Sequence, residues 1–180
     1  MKQEIYDYVV DIMTQTLAYP ILGGKIYWAN TRLEEPNKPY LLMTVINDDE
    51  IHRTSEVNGL VKEYRQAMVT FRICVDSSTF ENDDLCEEMI TYLRTKLSSE
   101  EAVDYFQSKK MSNRWENISS TRDMTEAIDG GYIYIREFDI PFEYVATLQQ
   151  GTKVSRGVNG SVNADGTPFN FSVDTGNQND

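Results

Sequence analysis

Apolar and polar residues alternate over two long stretches of the chain, Lys62–Asp76 and Gly131–Thr147. Successive strand side chains point to opposite faces, so a period of two marks a half-buried strand. In the first stretch Ala67, Val69, Phe71, Ile73 and Val75 share one face, and Gln66, Thr70 and Arg72 share the other. Its first half is polar on both faces and reads as a segment running past the core. The second stretch changes phase: Ile133 and Ile135 hold one parity, then Phe138, Ile140, Phe142 and Tyr144 hold the other. A β-bulge near Arg136-Glu137 is expected to reset the face. Pro141 has no N–H for a ladder, which predicts a sheet edge there. Each stretch reaches about fifteen residues, or roughly 50 Å, whereas a domain of this size is about 40 Å across. Strands that outrun their domain need another surface to lie against, and a neighbouring copy is the nearest candidate.

Helical spacing appears first at Lys2–Tyr19, where Ile5, Val9, Ile12 and Met13 form a stripe with Leu17 near it. Pro20 ends that helix, and Gly23-Gly24 makes a turn. Ser78–Leu97 is the clearest helix: Leu85, Met89, Tyr92, Leu93 and Leu97 line one side, and Ser78 or Thr79 is a capping residue with Glu81 and Asp83 near the positive end. Ser98-Ser99 breaks it, and Glu100–Gln107 reads as a short second helix. Lys25–Ala29 reads as a short strand and Tyr40–Ile46 as a strand covered on both faces. Asn30–Pro39 and Asn47–Gly59 read as polar connections, the latter a protruding loop or hairpin end. A short strand is expected within Met111–Ser120, around Trp115 and Ile118, and a loop at Arg122–Asp129. After Leu148 the chain is rich in Gly, Asn, Ser and Thr, with spaced Val154, Val158, Val162, Phe169, Phe171 and Val173. That segment cannot bury a core alone; its turn signals favour an arm of short strands. The fold class expected is α+β, a mixed, mainly antiparallel sheet with two main helices packed on it. Residues 1–147 form the domain and 148–180 a polar C-terminal arm.

Composition narrows the function more than the fold. The chain has 180 residues and a formal net charge of −12. Phosphate binding needs clustered Lys and Arg, so this balance argues against a nucleic-acid grip. No apolar run approaches the roughly 20 residues of a membrane helix, and MKQEIYDYVVDIM lacks the pattern of a signal peptide. Cys74 and Cys86 fit no zinc spacing and read as reduced thiols.

Candidate chemistry is sparse. His52, the only histidine, lies beside Asp48, Asp49 and Glu50. That neighbourhood motivates one enzymatic reading, a small metal-dependent hydrolase, since such sites need converging carboxylates. No nucleophile context, phosphate loop or EF-hand spacing accompanies it, and no cofactor is implied. Asn117-Ile118-Ser119, Asn159-Gly160-Ser161 and Asn170-Phe171-Ser172 match the glycosylation pattern only by coincidence if the chain is not secreted. The reading favoured is a non-enzymatic, assembly-forming protein. Its subunit contacts are expected at Tyr64, Gln66, Arg72, Arg136, Glu137 and Glu143, with the eleven tyrosines suiting either core or interface.

The order of helix, strand, long ribbon, helix and long terminal strand resembles the neck or tail terminator proteins of tailed bacteriophages. The resemblance is carried by the N-terminal helix, KPYLLMTVI, AMVTFRICVD followed by LCEEMITYLRTKL, and YIYIREFDIPFEYV, within residues 1–147. It implies a homo-oligomeric ring, usually a hexamer, at the head-tail junction of a virion assembled in the host cytoplasm. Such a ring caps the tail tube, ends its polymerisation and meets the head completion or connector proteins. Another connector or minor tail protein of the same virion is the alternative. Genomic DNA would pass through the lumen without specific binding, and Asp48, Asp49 and Glu50 are candidate lumen acids. The resemblance brings no catalytic residues.

Overall fold

The computed structural model describes residues 1–15, 19–29, 36–53, 60–77, 83–149, 158–164 and 167–173. Helix α1 (Lys2–Val10) widens into a π-helical turn over Asp11–Gln15. Ile5, Val9, Ile12 and Met13 are buried as their spacing predicts, and Tyr8 joins them. The expected helix to Tyr19 is therefore shorter in its regular part. A 3-10 turn begins at Pro20, whose missing N–H costs nothing at a helix start. Gly24 turns the chain with a φ of +70° into strand β1 (Ile26–Trp28), which runs parallel to β2 (Tyr40–Arg53).

β2, β3 (Leu60–Asp76) and β7 (Gly131–Gln149) form an antiparallel ribbon. Between β3 and β7 come helices α2 (Asp84–Leu97) and α3 (Glu100–Ser108) and strands β4 (Met111–Asn113), β5 (Arg122–Asp123) and β6 (Glu126–Ile128). The sheet order is β1-β2-β3-β7-β4, with β5 and β6 also on the outer side of β7. The architecture is α+β, with three α-helices among the described residues and a mostly antiparallel sheet. α2 begins at Asp84, and Asp83 caps it with no side-chain hydrogen bond. The caps proposed at Ser78 and Thr79, and Glu81 with them, lie outside the described residues. Ser99 caps α3, its hydroxyl accepting from the Ala102 N–H at 3.3 Å. No helix among the described residues is long and apolar enough to cross a membrane.

The core lies between the helices and one face of the sheet. Val69, Phe71, Ile73 and Val75 of β3 and Phe138, Ile140 and Phe142 of β7 pack against Met89, Ile90, Leu93, Leu97 and Phe106. Phe71 and Phe138 stack at 5.4 Å, and Phe142 meets Phe106 edge-on at 5.1 Å. Tyr8 closes on Phe106 at 5.1 Å, tying α1 to α3.

Several expectations are corrected. The two long stretches do not reach beyond the chain for a partner: all 17 residues of β3 pair with β7. No bulge lies at Arg136-Glu137, because the β3–β7 register is unbroken. The phase change instead records a second small core. Tyr40, Cys74 and Ile135 align across three strands on the opposite face and are buried there with Tyr27, Leu42 and Ile133. β7 is an inner strand, but at Pro141 its outer side is a local edge, where β4 has ended and β5 has not begun, so its missing N–H leaves no ladder partner unmet. Its carbonyl accepts from the Arg114 N–H at 2.8 Å. Asn47–Arg53 belongs to β2 rather than a loop. The strand expected around Trp115 lies earlier, at Met111–Asn113, and Trp115–Asn117 is a 3-10 turn. Arg122–Asp129 holds two short strands instead of a loop.

In the C-terminal segment, β8 (Val158–Ala164) and β9 (Thr167–Val173) make a two-stranded antiparallel ladder separate from the main sheet.

Candidate interaction surface

Paired residues on neighbouring strands share a face, so the register assigns every side chain to the helix-covered face or to the opposite, open one. On the open face β3 presents Tyr64, Gln66, Met68, Thr70 and Arg72, and β7 presents Val145, Glu143, Pro141, Asp139 and Glu137 opposite them in that order. Five of the six proposed contact residues, Tyr64, Gln66, Arg72, Glu137 and Glu143, therefore meet on one surface. Arg136 stands on the other face.

The middle of this open face is a belt of ion pairs. Glu137, buried, accepts from Arg72 Nε at 2.8 Å on one side and from Arg122 Nη2 at 3.0 Å on the other. Arg122 also donates to Asp139 at 2.6 Å, and the Thr70 hydroxyl donates to Asp139 at 2.7 Å. The Arg122 guanidinium, with Thr70, holds the Asp139 carboxyl below the usual aspartate range despite partial burial. Charge alternating across adjacent strands is the arrangement that stabilises cross-strand pairs. The belt is neutral: two arginines face two carboxylates. Farther along, Arg114 holds Glu143 at 2.7 Å. Glu137 and Glu143 are thus engaged within the chain.

Arg136 sits at the edge of the main core. Its guanidinium donates to Glu87 at 3.0 Å, to Asp123 at 2.5 Å, to the Thr125 hydroxyl at 2.9 Å and to Asp83. It ties the start of α2 to β5 and β7. Burial raises the Asp83 carboxyl, and Arg136 opposes that rise. The same burial pushes the Cys86 thiol up to about 12, leaving it a poor nucleophile. Cys74 and Cys86 are both buried.

The acidic triplet does not converge. Two bulges in β2, at Ile46 and Ile51, shift its register against β3. Asp48 and Glu50 pair with Ala67 and Arg65 on the helix side, whereas Asp49 and His52 pair with Gln66 and Tyr64 on the open side. Asp48 accepts from Arg65 Nε at 3.0 Å and from the Tyr144 hydroxyl at 2.8 Å. Arg65 also binds the buried Glu63 at 2.9 Å. His52 lies on a strand, its ring 6.2 Å from Tyr64. Among the described residues no group of three His, Cys, Asp or Glu side chains is placed to hold a metal ion.

Sequence reasoning missed Thr70, Arg122 and Asp139 in the belt, and Asp83, Glu87 and Asp123 around Arg136. A signal for part of it was present: Glu137 and Asp139 share parity along β7, as Thr70 and Arg72 do along β3. Arg122 carried no such signal, because its two-residue strand shows no period. No protein-family model matches the chain, and no curated protein matches it significantly.

Proposed function

We propose that this protein is a structural, non-enzymatic virion component that assembles into a homo-oligomeric ring at the head-tail junction of a tailed phage. The ring caps the tail tube, meets the head completion proteins and passes DNA through its lumen. The observation that carries this reading is a sheet whose second face has no described helix upon it and whose far end has, among the described residues, no further strand beside β2 or β7. β2 has its β1 partner only as far as Met43, and β7 has its β4 partner only as far as Tyr144. Exposed Ile51, Tyr64 and Val145 lie together toward that end, and exposed Ile46 lies beside the ion-pair belt. Exposed apolar side chains beside open strand edges favour protein contacts. The acidity supports a lumen role, since basic side chains would retain DNA by counterion release. Asp49, exposed on the open face, serves that role more readily than Asp48, which Arg65 and Tyr144 engage.

Sedimentation velocity on purified protein, followed by two-dimensional image averages, tests the reading. Ring-shaped particles that bind the ends of tail tubes are expected. A monomer at every concentration that also fails to join tails in extracts overturns it.

A further inference from the structure

The two ends of β7 carry different chemistry. At its start, the turn Asp129-Gly130 joins β6 to β7, with Gly130 at a φ of +89°. The register pairs Ile128 with Gly131 and Ala127 with Tyr132 beside that turn. Ile128 is 43 % exposed and Tyr132 52 %. Large apolar side chains left this open at a hairpin tip mark a contact surface. Glu126 and Asp129 are exposed beside them, and no cation lies between Glu126 and Gly130. The tip is apolar with an acidic border.

At the other end of β7, a groove of about 500 Å³ opens beside Tyr64 and Val145, with Ile51 and Met111 also lining it. A second hollow of about 310 Å³ continues it, the two sharing Tyr64, Lys110 and Val145. Several charges there are matched within the chain: Arg65 by Asp48 and Glu63, Arg114 by Glu143, and the N-terminal ammonium by Glu4. Lys62, Lys109 and Lys110 add positive charge at the rim, all three exposed. Lys109 stands over the Tyr105 ring at 5.6 Å, and no described carboxylate forms an ion pair with Lys110. An apolar floor with a cationic rim, on a chain of net charge −12, selects an apolar occupant with acidic edges.

We propose that the β6–β7 tip of one copy seats in this groove of the next, a head-to-tail contact. The inference rests on the assembly reading above and names the contact that closes the ring. Ile128 and Tyr132 meet Tyr64 and Val145, while Glu126 and Asp129 meet the rim lysines. A chain cannot fill its own groove. Tyr132 and Val145 lie on one continuous strand, roughly 40 Å apart at 3.3 Å per residue, and the unbroken β3–β7 register holds that strand extended. Contact between two unlike patches is heterologous, the kind that builds rings when its rotation closes.

Charge exchange on the full chain, read by sedimentation velocity, tests this. K109E/K110E reverses the rim and E126K/D129K reverses the tip, all at exposed positions. Each variant alone is expected to self-associate about tenfold or more weakly than wild type. An equimolar mixture is expected to recover, because a reversed rim then meets a reversed tip. Disulfide trapping reads the same contact without charge changes. Cys74 and Cys86 are buried, so added cysteines report alone. Facing cysteines bridge at Cα separations of about 4.4–6.8 Å. Ile128→Cys chains mixed with Val145→Cys chains and oxidised should therefore give a mixed dimer, and I128C/V145C should form multimers with no bridge inside one chain. Wild-type association with both charge variants unchanged, or with no mixed dimer, overturns this contact and leaves the ring reading standing. A loss in K109E/K110E that the mixture does not recover assigns the rim to another acidic partner and overturns the tip as occupant. A wild-type chain that stays monomeric at every concentration defeats the ring reading and the contact with it.

Discussion

Replacing Arg136 separates a fold-holding role from a subunit contact. Its side chain is 9 % exposed, whereas Asp83, Glu87 and Asp123 around it are 37 to 60 % exposed. Removing one member of a buried pair costs about 3–5 kcal/mol when the charge left behind stays buried. In R136M the groups left behind are three carboxylates that reach water, so each lost pair counts as a partly exposed one, about 0.2–1 kcal/mol. Losing the hydrogen bond to Thr125 adds about 1 kcal/mol. Met refills much of the arginine stem, limiting the packing loss. The sum is about 1.6–4 kcal/mol, or a Tm lowered by about 3–16 °C for a chain of this length.

Urea unfolding followed by tryptophan fluorescence, at several protein concentrations, measures the loss. It should be independent of concentration, because all three carboxylates belong to the same chain. R136K should recover part of it, since one ammonium keeps the charge but cannot bridge three carboxylates in a fork. A loss below about 0.5 kcal/mol, the ordinary range for surface substitutions, would show that the cluster does not hold α2 to the sheet. A loss that grows with concentration would return Arg136 to a subunit interface.

Phe106→Ala should cost about 3–5 kcal/mol, because Phe106 is fully buried against Tyr8 and Phe142; a urea midpoint near wild type would contradict that packing. Asp139→Asn should destabilise at neutral pH by about 1 kcal/mol. Because the folded carboxyl is depressed, its contribution is present above the ordinary aspartate value, about 3.9, and is lost as pH falls through the folded value; a difference from wild type that stays constant from pH 7 to pH 2 refutes the pairing with Arg122 and Thr70. A Cβ on Gly131 would lie 2.4 Å from the Ser77 hydroxyl oxygen, which accepts from the Tyr132 N–H at 2.8 Å. Gly131→Ala should therefore cost about 1–3 kcal/mol, and the cost should shrink in the S77A background; simple additivity in a double-mutant cycle would place the strain elsewhere. Ile46→Lys, at a site 60 % exposed, should change stability by less than about 0.5 kcal/mol while weakening self-association in sedimentation; unchanged association removes Ile46 from the contact surface.

The main core was legible where a period was long. The stripe Ile5, Val9, Ile12, Met13 and the alternation from Ala67 to Val75 both point at buried faces, and burial follows them. The phase change in β7 was legible as a fact but not in its cause. A strand that feeds one core at Ile135 and another at Phe138 has the same pattern as a bulged strand with a single core. Only the neighbours Tyr40 and Cys74, far away in sequence, distinguish the two. Pro141 pointed to an edge, and the edge is local, since β4 ends at Asn113 and no strand pairs with the outer side of β7 at Pro141. Of the six contact candidates, five shared a face because strand parity is local information. Which were already engaged was not legible, because Arg122 and Arg114 come from segments with no period.

The bulges of β2 bear on how the sheet meets a partner. Without the shift at Ile46, Asp48 would stand opposite Gln66 on the open face; with it, Asp48 stands opposite Ala67 and meets Arg65 and Tyr144 on the helix side. The second shift, at Ile51, returns the open face to His52, opposite Tyr64. Each bulge resets which face is charged, and each does so at an isoleucine left exposed on the free stretch of the strand. Bulges also break the even spacing that edge-to-edge strand addition requires. The edge of β2 beyond Met43 is thereby a poor template for another strand. Contacts at this end are consequently expected through side chains on the face, and not through an extended ladder continuing from chain to chain.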